Sequence, residues 1–269
     1  MKDSDCAVVS ESPPTEQAVP VAGGRNYLYA IVAGGEPRSY PSLGIEGSGV
    51  YSITEGRVAA VVSGLAGSKI RPQRANLAAH QAVLKCLMAD TTPLPMAFGT
   101  VATSPEAIRG ILVRNHRAFE EQLQRVAGKV EMGLRVAWDV PNIFEYFVNT
   151  HADLRLARDR LVGVRHEFTQ EEKIELGRMF DRLLHDDRED HTRKVERALA
   201  PVCAEFKANP CRNEHEVMNV ACLVWRDAQE EFSAGVFAAA KRFDNNFAFD
   251  YSGPWAPHNF VDLELDLEE

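Results

Sequence analysis

The chain has 269 residues, 45% of them hydrophobic and 26% charged, with a formal net charge of -9. That balance is ordinary for a soluble globular protein, and the acidic total excludes a general nucleic-acid binder, which needs a basic face. No run approaches the roughly 20 apolar residues of a membrane helix, and the start, Met1-Lys2-Asp3-Ser4-Asp5, lacks the apolar stretch of a signal peptide.

The charge is unevenly spread. Residues 1–24 net -3 and residues 262–269 net -5, which leaves -1 for the body between them. Within the body, 25–127 nets +4 and 128–261 nets -5. Ordinary solvated faces explain such a split, and opposite signs also help two parts dock or orient a partner. The five cysteines, Cys6, Cys86, Cys203, Cys211 and Cys222, are odd in number and form no CxxC pair. Neither a zinc site nor a disulfide framework is expected, and a reducing cytoplasm fits.

Residues 1–24 hold Pro13-Pro14, Pro20 and Gly23-Gly24 and no aromatic residue, so a disordered tail is expected. Tyr27 to Val32 is a β-rich run ended by Gly34-Gly35. Val50–Thr54 and Val58–Val62 flank Glu55-Gly56-Arg57, a hairpin signal. Gln73 to Met88 has apolar residues at helical spacing, and Pro93 and Pro95 follow it. Leu94 to Val101 reads as a short strand. Ser104-Pro105 starts a helix that the pattern carries through to about Val126.

Lys129 to Val140 alternates. Val130, Met132, Leu134, Val136 and Trp138 share one face, opposite Glu131, Arg135 and Asp139, which predicts a half-buried strand. A long helical region runs from Asn142 to about Ala200, with a capping box at Thr169 and Glu172. Strands are predicted near 204–209 and 217–224, then a helix over 227–242, then a strand over 247–251 broken by Gly253-Pro254. From 129 onward the order is strand, helices, strand, strand, helix, strand, the split βαβ arrangement of ferredoxin-like folds with an enlarged helical crossover. The expected class is α+β in two domains. These are an N-terminal mixed sheet domain over 25–127 and a modified ferredoxin-like domain over 128–261. The tails are 1–24 and 262–269.

Motifs with a known chemistry are few in the sequence. Gly64 to Lys69 lacks the GxxxxGK[ST] spacing of a phosphate loop, and no GxSxG elbow occurs. His215-Glu216 begins like HExxH, but Asn219 stands at the second ligand position. Cys203, Cys211, His215 and Cys222 match no familiar metal spacing. Asn76 and His80, one turn apart near Arg71 and Arg74, read as a helix-end hydrogen-bond cluster. The run His185 to His191 reads as a solvated helix face. Asp262 to Leu267 alternates strictly and reads as a frayed or self-packed end, with strand addition to a partner as the alternative. No catalytic residue, cofactor or metal is expected.

Several segments together resemble the gas vesicle synthesis proteins of the GvpL/GvpF family. Tyr27 to Val32 is similar to that family's first strand, and Arg71-Pro72 with Ala75-Asn76-Leu77, His80 and Val83 to its first helix. Leu94-Pro95-Met96-Ala97-Phe98-Gly99-Thr100-Val101 resembles its LPxxFGTV segment, with Ala97 where a basic residue is usual. Gly128 to Met132 with Val136 and Trp138 looks like its central strand. Tyr251-Ser252-Gly253-Pro254-Trp255-Ala256-Pro257 with Asn259-Phe260-Val261 resembles its TGPWPPYxFV ending, with Ser252 for Thr and His258 for Tyr. The resemblance implies a non-enzymatic accessory protein, a minor vesicle component. It would bind the small hydrophobic shell protein and limit its aggregation during nucleation. It also implies a cytoplasmic, vesicle-associated location, at the gas-facing side of the shell for some members, and other vesicle accessory proteins as further partners. Trp255 and Phe260 are the candidate partner-binding residues. A regulatory small-molecule module on a ferredoxin-like sheet is the alternative.

Overall fold

The computed structural model describes residues 24–40, 44–67, 70–162 and 169–263. The expected tail over 1–24 therefore lies outside the described residues except for Gly24, and the acidic end except for Asp262 and Leu263. The chain forms two compact units. One comprises residues up to Glu131 together with those from Pro254 onward, and the other is Met132–Gly253. The C-terminal segment thus rejoins the first unit, which chain order alone does not reveal.

The first unit contains β1 (Arg25–Ala33), β2 (Ser39–Tyr40), β3 (Val50–Glu55), β4 (Val58–Leu65), α1 (Arg74–Asp90), β5 (Leu94–Pro95), β6 (Val101–Ala102), α2 (Pro105–Arg114) and α3 (His116–Val126). The sheet order is β2-β3-β4-β1-β5, with β6 also on β1. β3 and β4 form the predicted hairpin in register Glu55↔Val58. Gly56 takes φ +57 at the first central turn position, where a glycine suits the twist of the flanking strands.

β1 is the organising strand. Seven consecutive residues, Asn26 to Val32, are buried, because α1 packs on one face and α3 on the other. A bulge lies between Leu28 and Ala30, so Tyr29 is an extra residue opposite β4. The bulge reverses the alternation of the strand. Tyr27 and Tyr29 before it, and Ala30 and Val32 after it, all enter one core cluster with Val83, Leu84 and Leu87 of α1.

The predicted single helix after Ser104 is two. Asn115 sits at φ -104, ψ 13, and its side-chain amide donates to the Ile111 carbonyl. Asparagine competes for backbone partners in this way, and the helix breaks there. The expected strand over 94–101 is likewise two short bridges, because Gly99 turns the chain at φ +92.

The second unit is built on β7 (Lys129–Trp138), which begins in the first, and contains α4 (Ile143–Thr150), α5 (Ala152–Val162), α6 (Gln170–Leu199), β8 (Cys203–Asn209), β9 (Glu216–Trp225), α7 (Gln229–Ala240) and β10 (Phe247–Trp255). The strand order is β10-β7-β9-β8. Thr169 and Glu172 make the predicted capping box at the start of the 30-residue α6. β10 runs on through Gly253 and Pro254, past the predicted break at those residues. It lies at the end of the sheet, where proline removes no ladder bond. Trp138 and Phe147 anchor the interior, edge to face at 5.3 Å.

On α1, Leu84 is 1% exposed and Leu77 is 41% exposed. Leu84→Ala is expected to cost about 2–5 kcal/mol of unfolding free energy and Leu77→Ala under about 1 kcal/mol. Chemical denaturation of the two variants checks the contrast.

Candidate functional site: a buried polar core and a clamped C-terminal segment

Beneath the Leu94–Val101 segment lies a buried polar network. The Tyr27 hydroxyl is 2.9 Å from His80 Nδ1 and accepts from the Gly99 N–H at 3.1 Å. The Tyr29 hydroxyl shares a 2.9 Å hydrogen bond with Ser63 Oγ and accepts from the Ile45 N–H at 2.8 Å. Tyr27, Tyr29, His80 and Ser63 are each at most 2% exposed. Phe98 packs on Tyr27 and His80 at 6.1 and 5.9 Å.

The segment is tied to β1 on both sides of its turn. Met96 N–H donates to the Tyr29 carbonyl, and Leu28 N–H donates to the Thr100 carbonyl, both at 2.9 Å. Thr100 Oγ1 donates to the Ala97 carbonyl and closes the turn. Gly99 is needed there because its φ of +92 disfavours any side chain. The Phe-Gly-Thr part of the motif thus has a structural cause: it caps the tyrosine–histidine pair. Ala97 is exposed, and only its carbonyl takes part in the turn.

Burial, with a smaller contribution from the nearby His258, pushes the His80 pKa down to about 4. Burial likewise pushes Tyr27 up to about 12. Near neutral pH the imidazole is uncharged, and its Nδ1 shares a hydrogen bond with the phenol. The expected helix-end cluster is therefore divided. Asn76 donates to the Arg71 carbonyl at the start of α1, while His80 turns inward to Tyr27.

The second feature is a clamp. The carboxyl group of Glu131 accepts from the Asn259 backbone N–H at 2.7 Å and from its side-chain amide at 2.6 Å. Sequence alternation puts Glu131 on the solvent face of its strand, yet it is 6% exposed. The returning segment covers it, and no pattern within β7 signals that cover. The clamp fixes a short 3-10 turn over His258–Phe260. Ala256 and Phe260 are 3% and 2% exposed, whereas Trp255 is 46% exposed. Of the two candidate partner residues, Trp255 presents its ring to solvent, and Phe260 is an internal anchor with no surface to offer.

In the second unit, Phe237 and Tyr251 are exposed at 60% and 38%, with ring centroids 6.4 Å apart. The Tyr251 hydroxyl shares a 2.8 Å hydrogen bond with Ser233 Oγ. An open cleft of about 580 Å³ lies between α6 and the β8–β9 connection, lined by Arg188, Arg193, Cys211 and Met218 among others. Arg188 is committed there to the carbonyls of Asn213 and Glu216. His215 and Asn219 fall on a loop and a strand, so the HExxH-like run does not share a helix face. Among the described residues, no helix is long and apolar enough to cross a membrane.

An α+β chain with two antiparallel-sheet units and this capped segment has clear counterparts. Residues 25–262 match the family model of the gas vesicle synthesis protein GvpL/GvpF, and the chain belongs to that family. Its role is therefore related to gas vesicles. Gas vesicle protein F of Dolichospermum flosaquae is 26% identical over 241 residues, spanning 88% of this chain and 98% of that protein. Gas vesicle protein L of Streptomyces sp. (strain CB03234) is 27% identical over 194 residues, 71% of each chain. The crystal structure of the gas vesicle protein GvpF from Anabaena sp. PCC7120 has the same fold. Its TM-score is 0.78 at 24% identity, and the match covers 90% of this chain and 99% of that one.

Burial of neutral His80 predicts a pH dependence. Unfolded, the imidazole binds a proton near its ordinary pKa of 6.5; folded, it binds one only near 4. Stability present above pH 6.5 is therefore lost as pH falls from there towards 4, by about 2–3 kcal/mol. Urea titrations at several pH values are expected to show this loss in the native chain and a smaller one in His80→Gln.

Proposed function

We propose that the chain is a gas vesicle assembly factor that binds the small hydrophobic shell protein and limits its aggregation during nucleation. The observation that carries this reading is the family match over 25–262. The surface is suited to it. Trp255 combines a large apolar ring with nearly half exposure, and it shortly precedes the clamped turn in the chain. Trp is the residue type most often found to dominate binding energy at protein interfaces. Phe260 contributes indirectly, by anchoring the turn that presents Trp255.

The end strands β8 and β10 offer a second mode, in which an extended apolar segment of the shell protein adds to the sheet. The second unit is read as a modified ferredoxin-like domain, with α4 to α6 as the enlarged crossover; the β10-β7-β9-β8 order supports this. In this reading the domains 25–127 and 128–261 correspond broadly to the two units, with the segment from Pro254 returned to the first. The role is non-enzymatic, other vesicle accessory proteins are further partners, and the working location is the cytoplasmic gas vesicle, at the gas-facing side of its shell.

Light scattering of purified shell protein, with and without this chain, tests the reading. Suppressed aggregation is expected, and no effect at molar excess would sink it. Trp255→Ala is expected to keep the fold and weaken binding about 10-fold or more. Equal binding by the variant would remove Trp255 from the contact.

A further inference from the structure

Three cysteines of the second unit, Cys203, Cys211 and Cys222, are free thiols. Two of them meet. Cys203 opens β8, and Cys222 lies in the middle of the adjacent antiparallel β9. Cys203 stands opposite Val224, and Phe206 stands opposite Cys222, so Cys203 and Cys222 lie on one face of the β8–β9 ladder. A register shift between Cys203 and Glu205 inserts an extra residue between these pairs. The thiols of Cys203 and Cys222 are hydrogen-bonded to each other.

The two differ in access. Cys222 is fully buried, at 0% exposure. Cys203 is partly exposed, at the beginning of a strand that ends the sheet. The third cysteine supplies an internal contrast. Cys211 is also partly exposed, but its thiol donates to the Val217 carbonyl at 3.6 Å and has no cysteine beside it among the described residues.

We propose that Cys203 and Cys222 form a reversible dithiol–disulfide pair, with Cys203 as the peroxide-reactive thiol and Cys222 as the resolving one. The Cys203 thiolate attacks one oxygen of hydrogen peroxide and the O–O bond breaks. Cys203 becomes a sulfenic acid, and the departing hydroxide takes a proton to leave as water. The Cys222 sulfur, losing its proton, then attacks the Cys203 sulfur. The S–O bond breaks, a second water departs, and the S–S bond forms. Two thiols are oxidised, one peroxide is reduced, and a small-molecule thiol reductant reverses the process by exchange.

The hydrogen bond from Cys222 holds the Cys203 thiol below its ordinary pKa and so favours the nucleophilic thiolate, while burial opposes it. Burial instead pushes the Cys211 thiol up. The same oxidant should therefore separate the two partly exposed cysteines. The product would tie the start of β8 covalently to β9 and stop that end strand from peeling away.

The test treats the full chain with a slight excess of hydrogen peroxide, followed by alkylation and peptide mapping. The expected product is a Cys203–Cys222 linked peptide, with a loss of about 2 Da that dithiothreitol restores. Cys222→Ser is expected to accumulate a dimedone-reactive sulfenic acid at Cys203 and none at Cys211. Mapping of the native chain decides the matter even where a variant fails to fold. Free Cys203 and Cys222 after treatment, or oxidation centred on Cys211, would overturn the proposal.

Discussion

One extra residue in β1 governs the first unit. Without the bulge at Tyr29, strict alternation would send Tyr27 and Tyr29 to one face and Ala30 and Val32 to the other. With it, all four face α1. Tyr27 then stands opposite Ser63 of β4, and Ala30 and Val32 stand opposite Val61 and Ala59. The two phenols then have hydroxyls deep in an apolar layer, and each must find partners. Ser63 and the Ile45 amide serve one, His80 and the Gly99 amide the other. The Leu94–Val101 segment follows from that requirement, because its turn delivers the Gly99 amide to the Tyr27 oxygen.

The two buried polar devices of this unit meet the cost of burial differently. His80 gives up its charge and keeps a hydrogen bond to Tyr27 as a neutral ring. Glu131 instead acquires donors, two of them from a single asparagine 128 residues away. The first device stabilises a layer already formed by neighbouring strands and a helix. The second joins the start of β7 to the returning C-terminal segment.

Much of this was legible in local sequence. The hairpin around Gly56, the alternating β7, the Thr169–Glu172 capping box and the β8–β9 pair all follow from short-range patterns and appear as expected. The burial of Glu131 and of Phe260 shares a cause, since both depend on residues distant in sequence. Glu131 has the alternation of a solvent-facing residue and is buried by a segment over a hundred residues later. Phe260 looks like a terminal aromatic available for binding and is an anchor for the same reason. The bulge at Tyr29 leaves no mark in the run Tyr27 to Val32, where every residue is apolar or aromatic and parity is invisible. At Asn115 the information was local, in a poor helix former among good ones, but the apolar spacing on either side conceals it.

The return of the chain at Pro254 also bears on how the molecule is made. Domains usually fold in order of synthesis, the N-terminal one first. Here Ala256 belongs to the core cluster of the unit that starts at β1, and Glu131 waits for Asn259. That unit cannot complete its interior until Ala256 and Asn259 have left the ribosome. The segment Met132–Gly253 has all its own strands and helices earlier and is free to close first. Translation thus leaves the first-made unit unfinished for longest, with Glu131 unclamped and the site for Ala256 unfilled. A chain truncated shortly before Pro254 would carry that unfinished state permanently.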